Sequence, residues 1–477
     1  MKFKTGYLWL LCALAGCTMG PDYHKSTPVV PDRWQAEQGA GLGLQPITPE
    51  KLKSWWNNFG DARLNRLMEL ALAGNLDLKI ALARVDQARA DRRSTRAELF
   101  PQVGLKAGAQ RNKNLSPIYS RGISFNIFEL GFDALWEVDL FGRQQRRLEA
   151  ASADLDAANE EHAQALVTLT AELARSYVEY RNLQNQLRIT RTNLQTQQHT
   201  LKLTEKLFGE GIGTRHDVVR ARALAENTEA EIPALEGRMI GALRQLEMLV
   251  GKQPGALAAD LSEPGAVPTA PGRELLASPA AAIRHRPDLV IAERRLAAAT
   301  AMHGAAVAEL FPKISLSAFL GLRNTDIESL FKSAAFSYTT ASNLMQPLLN
   351  FGRIRAGIDL AEAKQQEAYL AYEKAVLEAL RDTETALTRY LKEEVRRQIL
   401  GRTVEDQRES VRLSELRYRE GVISFLDVLD AQRALYSAEI ELARSEAEAS
   451  TNLIAFYKTL GGGANATLPE VAGKTSS

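Results

Sequence analysis

RQQRRLEAASADLDAANEEHAQALVTLTAELARSYVEYRNLQNQLRITRTNLQTQQHTLKLTEKLF, residues 143–208, contains no proline and no glycine. Read as one helix, these residues would run ~99 Å at about 1.5 Å per residue. Leu166, Leu173, Tyr180, Leu187, Leu194, Leu201 and Phe208 recur every seven positions. A sustained seven-residue repeat predicts helices packed side by side and supercoiled. Helices of this length have no compact globular home, so a tube or a rod is required. Gly209, Gly211 and Gly213 follow and predict a reversal into a second helix over about Asp217–Val250. Pro233 should kink or interrupt that helix, because it lacks the N–H and crowds the preceding turn.

Upstream of the long helix, strand alternation is clear. Val103, Leu105, Ala107 and Ala109 alternate with Gln102, Gly104, Lys106, Gly108 and Gln110. After an Asn/Ser-rich loop (Asn112 to Gly122), a return strand carries Phe128, Leu130, Phe132, Ala134, Trp136, Val138 and Leu140 on one face. Glu129, Gly131, Asp133, Glu137 and Asp139 fall on the other. A helix over about Asp61–Glu98 precedes them and ends at Phe100-Pro101.

This plan occurs twice. Ala97-Glu98-Leu99-Phe100-Pro101 recurs as Ala308-Glu309-Leu310-Phe311-Pro312, and Phe141-Gly142-Arg143 as Phe351-Gly352-Arg353. Glu210-Gly211 through Asp217-Val218 recurs as Glu420-Gly421 through Asp427-Val428, and Gly251 as Gly461. The second copy predicts a helix over Ser278–Glu309, a strand alternating through Ile314, Leu316, Ala318, Leu320 and Leu322, and a less regular return strand near Ala335–Leu349. Helices over Phe351–Tyr418 and Leu426–Leu460 follow. The offset of about 210 is too long for a solenoid unit, so it marks a tandem duplication. The domains divide as signal 1–16, N-terminal segment 17–60, first copy 61–255, Pro-rich connector 256–277, second copy 278–463 and tail 464–477. Four strands are too few to close a barrel of useful bore. Three chains would supply twelve, an even antiparallel number for an outer-membrane barrel. The fold class is mostly α, with a membrane β-barrel and a long α-helical barrel.

Composition excludes several classes. The 477 residues carry 59 Lys+Arg and 58 Asp+Glu, a net charge of +1, so no basic excess points to nucleic acid. Mean hydropathy is −0.22, and no internal apolar stretch of ~18 residues marks a helical membrane span. Two cysteines cannot build a disulfide scaffold. At the N-terminus, Lys2 and Lys4 precede the apolar run Gly6 to Leu14 and then Leu14-Ala15-Gly16-Cys17. This resembles the lipobox of bacterial lipoproteins, which implies cleavage before Cys17 and covalent lipid on it. The alternative is a plain secretory signal with an accidental cysteine. Loss of Lys2 and Lys4 takes the net charge from +1 to −1. Several acyl chains anchor stably where one binds only marginally. Thr18 in place of Asp resembles the lipoproteins sorted to the outer membrane.

Taken with the duplication, the strings Gly16-Cys17-Thr18-Met19-Gly20-Pro21-Asp22-Tyr23, Trp55-Trp56 with Phe59 and Asp61, both Glu-Leu-Phe-Pro segments, Asp139-Leu140-Phe141-Gly142-Arg143 and Leu429-Asp430-Ala431-Gln432-Arg433 resemble the outer-membrane efflux channels of the TolC type, in their OprM-like lipoprotein branch. The resemblance implies a homotrimer with a 12-strand barrel in outer-membrane lipid and a 12-helix tunnel through the periplasm. It implies two partners, a periplasmic membrane-fusion adaptor and an inner-membrane transporter of the resistance–nodulation–division class. The function implied is a passive exit duct for drugs or other toxic small molecules.

Asp427 and Asp430 stand three apart on one helix, hence on nearly the same face. Spacing alone suits two solvated acids that complement a helix dipole. The resemblance instead makes them the acidic ring of a periplasmic gate, with Leu426 as an apolar plug and Tyr418 bonded to Asp217. Gly211, Gly213 and Gly421 would lie at the tip that meets the adaptor. The basic residue that helps lock the TolC entrance is replaced here by Ile423, with Arg215, His216 and Arg220 as possible substitutes.

Enzyme readings fail. Gly473-Lys474-Thr475 lacks the rest of a phosphate loop, Gly39, Gly41 and Gly43 do not fit a dinucleotide fingerprint, and six histidines show no metal-ligand spacing. No catalytic residue, metal or cofactor is expected beyond the lipid on Cys17. Two other functions stay open, a structural coiled-coil envelope lipoprotein without a pore and a type I secretion duct. Trp136 fits an interfacial aromatic belt or the cap of a soluble core.

Overall fold

The computed structural model describes residues 18–25, 30–31, 34–35, 48–115, 122–269, 283 and 286–466. The signal 1–16, Cys17, most of the connector's C-terminal half and Gly473-Lys474-Thr475 lie outside them. The helices are α1 (Pro49–Lys53), α2 (Ala62–Gly74), α3 (Leu76–Ala97), α4 (Arg143–Gly209), α5 (Arg215–Leu249), α6 (Ala258–Leu261), α7 (Pro287–Ala308), α8 (Arg353–Arg419) and α9 (Phe425–Thr459). The strands are β1 (Gln102–Leu115), β2 (Gly122–Val138), β3 (Lys313–Asn324) and β4 (Phe336–Met345). The chain divides into two units, one made of residues 1–27, 83–159 and 290–374, the other of 28–82, 160–289 and 375–477.

The first unit holds an antiparallel sheet in the order β1-β2-β3-β4. Leu105 faces Phe132 across β1–β2, and Leu316 faces Ser342 across β3–β4. These are the same pair in the two copies, so the duplication extends to strand register. Each return strand is also tied to the Phe-Pro turn of its own copy. The Trp136 indole N–H donates to the Leu99 carbonyl at 3.0 Å, and the Gln346 amide to the Leu310 carbonyl at 2.9 Å. Residues 18–25 dock on the same unit. Arg146 donates to the Met19 carbonyl and to Asp22, Tyr23 donates to Glu293, and Gly20 lies so close to Gly304 that a Cβ would meet its Cα at 2.5 Å.

The second unit is built on helix packing around one aromatic cluster. A 3₁₀ turn, Trp55–Phe59, buries Trp55, Trp56 and Phe59. Trp55 stacks on Tyr457 at 5.1 Å and meets Trp56 and Phe59 edge-on at 6.0 Å. Asp61 caps α2 by accepting from the Arg63 and Leu64 amides, and its other oxygen accepts from Tyr177 on α4. That hydroxyl in turn receives Arg181 Nε at 3.0 Å. Burial pushes the Tyr177 phenol up to about 12.

The long helices α4 and α8 each span 67 residues, within a residue or two of the sequence reading. The heptad stripe of α4 is buried from Leu166 to Leu194, half-buried at Leu201 and exposed at Phe208. A straight helix drifts by about 20° per heptad, enough over six repeats to turn the stripe outward.

Three expectations need correction. The helix expected over Asp61–Glu98 is two helices, broken at Asn75. Its side chain accepts from Leu78 N at 3.0 Å and donates to the Leu249 carbonyl, and a Cβ on Gly74 would meet the Val250 carbonyl at 2.4 Å. The break lets the end of α5 pass close. Pro233 does not interrupt α5, which is continuous through it. The ring is exposed, and water can take the carbonyl that the missing N–H leaves free. The second return strand stops at Met345 rather than Leu349, because Pro347 cannot donate to a ladder.

Candidate functional site

Two places concentrate unusual chemistry, one in each unit. The first is the sheet. Residues that face each other across strands lie on one side, so Val103, Leu105, Phe132, Leu316, Leu320 and Tyr338 share a face. That face is bare, with Leu105 71%, Phe132 59% and Tyr338 72% exposed. The opposite face is polar and internally paired. Glu129 on β2 takes Lys106 of β1 at 2.8 Å and Arg323 of β3 at 2.9 Å. Gly131 faces Gly321 across β2–β3, and a Cβ on Gly131 would meet the Gly321 Cα at 2.6 Å and the Phe319 ring at 2.9 Å. Phe319 fills that space and is itself covered by the Arg323 guanidinium at 4.9 Å. A sheet face that exposes Leu105, Phe132, Leu320 and Tyr338 beside a charge-paired one is the reverse of a water-soluble sheet, whose apolar face is covered. Among the described residues, no helix is long and apolar enough to cross a membrane.

The second place is the pair of turns that reverse the helices. Gly211 and Gly421 take φ of +76° and +72°, and among the described residues a Cβ on either would meet nothing within 4 Å. They are glycines for their backbone, and their surroundings are open. Gly213 has ordinary φ. Thr214 and Asp217 form a capping box at the start of α5, and Ser424 and Asp427 form the same box at α9. Asp427 accepts from the Ser424 amide at 2.9 Å and its hydroxyl at 2.7 Å. Both boxes are legible in the sequence as Ser/Thr-x-x-Asp, and this local signal marks the two helix starts.

Asp430 is exposed and makes no hydrogen bond or ion pair among the described residues; Leu426 is exposed as well. The apolar anchor inside the chain is its neighbour Phe425. It is buried against Ala221 and Leu429, with Leu201, Leu224 and Tyr418 around them and the Tyr418 ring 5.3 Å away. Phe425 replaces Arg215 of the first copy, so comparison of the copies could have singled it out. Burial raises the Tyr418 pKa first, and the nearby Asp217 charge raises it further. No hydrogen bond joins Tyr418 to Asp217 within the chain; one oxygen of the Asp217 carboxylate accepts from the Thr214 hydroxyl at 2.6 Å. Arg215, His216 and Arg220 are exposed and unpaired among the described residues. Beside these residues a groove of about 360 Å³ is lined by His199, Thr200, Glu415, Tyr418 and Gln432. Gln432 is buried, and its Oε1 has no partner among the described residues.

Among the described residues no cluster of His, Cys, Asp and Glu is placed to hold a metal.

Comparison with known proteins identifies the family. The family model described as outer membrane efflux protein matches twice, over residues 67–252 and 279–462. The chain is 32% identical to the solvent efflux pump outer membrane protein SrpC of Pseudomonas putida, covering 97% of this chain and 99% of that one. It is also 32% identical to Nodulation protein T of Rhizobium leguminosarum bv. trifolii, over 94% of each. The solved outer-membrane channel OprN shares 35% identity and superposes with a TM-score of 0.89, covering 94% of this chain and all of that one. The chain belongs to the outer membrane efflux protein family and is an efflux exit channel of the outer membrane.

Proposed function

We propose that three copies of this chain form a conduit whose sheets close into a 12-strand barrel in the outer membrane and whose helices form a periplasmic tunnel. A membrane-fusion adaptor would dock at the Gly211–Gly213 and Gly421 turns, and a resistance–nodulation–division transporter would power export. The observation that carries this reading is the bare apolar sheet face opposite the Lys106–Glu129–Arg323 network. Lipid covers such a face, and water wets the other. The purified protein should have the mass of a trimer and conduct ions in planar bilayers. A monomer without conductance would favour the pore-free scaffold.

The proposed gate is the ring of Asp427 and Asp430 with Leu426 beside it, and Tyr418 with Asp217 at its margin. Asp430 is the cleaner probe, since removing Asp427 would also open its capping box. Asp430→Ala should lower cation selectivity, because three fixed carboxylates raise the local cation concentration in a narrow pore. Single-channel recordings at low and high salt decide it, and unchanged selectivity would remove Asp430 from the gate.

Anchoring through lipid on Cys17 is the further part of the proposal. Labelled palmitate should mark the wild-type protein and leave Cys17→Ser unmarked; equal labelling of both would end the lipobox reading.

A further inference from the structure

The two copies share a frame at the ends of α5 and α9 but differ in what surrounds it. In the first copy the Asn75 amide donates to the carbonyl of Leu249, the last residue of α5, at 2.9 Å. In the second, Arg286 at the corresponding position donates to the carbonyl of Thr459, the last residue of α9, at 3.0 Å. Beside Arg286 lies a cavity of about 530 Å³, lined from α4, α8, α9 and the start of α7. Its charges do not balance. Arg286 pairs with Asp288 at 2.7 Å and Arg381 with Asp382 at 2.8 Å. Arg389 and Lys458 are left exposed and unpaired among the described residues. Asn452 also lines the cavity and is only 9% exposed, yet its amide makes no hydrogen bond among the described residues. A buried amide without partners is destabilising, so folding alone does not account for it. Nor does the frame require these three residues. At the offset of 210 the first copy carries Glu179, Ala242 and Met248 in their places.

We propose that this cavity binds the free acidic peptide stems of the murein wall. Arg389 and Lys458 hold carboxylates of the stem through charge-assisted hydrogen bonds. The Asn452 amide offers a donor and an acceptor together, which matches the carbonyl and N–H of a peptide group. The volume falls in the range of small-ligand sites, so a chain end of a few residues enters where a folded surface does not. Two unpaired cations call for a ligand with more than one carboxylate. A stem peptide carries several within a few residues, whereas a single acidic side chain of a partner protein supplies one. This assignment rests on the proposed duct, which puts the chain across the periplasm with the wall in its path. Bound stems would fasten the duct to the wall.

The test uses the full-length protein in detergent and a murein tripeptide, L-alanyl-γ-D-glutamyl-diaminopimelate, labelled with a fluorophore at its alanine amine and followed by anisotropy. Binding should saturate and should weaken as salt is raised. Amidating the carboxylates of the tripeptide should weaken it about tenfold or more, and so should Asn452→Ala, which removes hydrogen bonds made in a buried site. Arg389→Glu, Asn452→Ala and Lys458→Met together install the first-copy residues and should abolish binding. Since the first copy folds with those residues, trimer recovery and melting temperature should stay at the wild-type values. A trimeric, conducting wild type that does not bind the tripeptide, or a triple variant that binds it equally, would overturn the proposal and leave the duct standing. Tighter binding of an all-L acidic tripeptide of equal charge would overturn it in favour of a protein partner. Binding by a wild type that neither assembles nor conducts would keep the cavity's ligand and overturn the duct.

Discussion

Phe132→Arg should sharply reduce recovery of assembled protein, whereas Asp133→Arg, one position along the same strand, should be far milder. Phe132 lies on the bare face with Leu105 and Leu320 as cross-strand neighbours. Near the bilayer midplane an arginine on that face costs ~2–4 kcal/mol per chain. Asp133 points to the other face and makes no hydrogen bond there among the described residues, so its loss breaks nothing. Trimer yield in detergent extracts separates the two. Equal damage at both positions would mean that lipid does not cover the Phe132 face.

Trp55→Ala should be the most destabilising single change in the helical unit. The side chain is fully buried, stacked on Tyr457 and flanked by Trp56 and Phe59. Truncating a buried Trp costs ~3–5 kcal/mol, part of it for the cavity left behind. At roughly 2–4 °C per kcal/mol for a large domain, the melting temperature should fall by roughly 6–20 °C. Trp55→Phe keeps a stacking ring against Tyr457 and should lose less. A wild-type melting curve for Trp55→Ala would show that the cluster does not hold the 3₁₀ turn to the helices.

The long helices were legible because nothing local competes with them. From Arg143 onward no residue supplies a stop, and the Gly211 and Gly421 turns punctuate both copies alike. Strand alternation was legible because one whole face is apolar, and that regularity also set which residues face which. The break at Asn75 has a local half, the cap on Leu78 N, and a half that was not legible, the Leu249 carbonyl 174 residues away. Nor was the role of Asp61, whose Tyr177 partner lies on another helix. At the turns, Asp427 and Asp430 looked alike by spacing. The structure separates them through Ser424, which occupies one carboxylate and leaves the other open. Capping is local and could have been read, whereas the burial of Phe425 depends on α5 and could be suspected only from the mismatch between the copies.

The pairing of β2 with β3 also dictates an order of folding. β1–β2 and β3–β4 are hairpins that each close over a short loop, but Arg323 and Glu129, which tie the hairpins together, are 194 residues apart. Hairpins form in microseconds, while contacts of such separation must wait for the intervening chain and for the entropy of closing a large loop. During export the first hairpin therefore exists alone, with its apolar face and both edges uncovered, until the second copy has emerged. Aggregation competes with folding in that interval, which ends when β3 pairs with β2, where Gly131 lies against Gly321 too closely to admit a side chain.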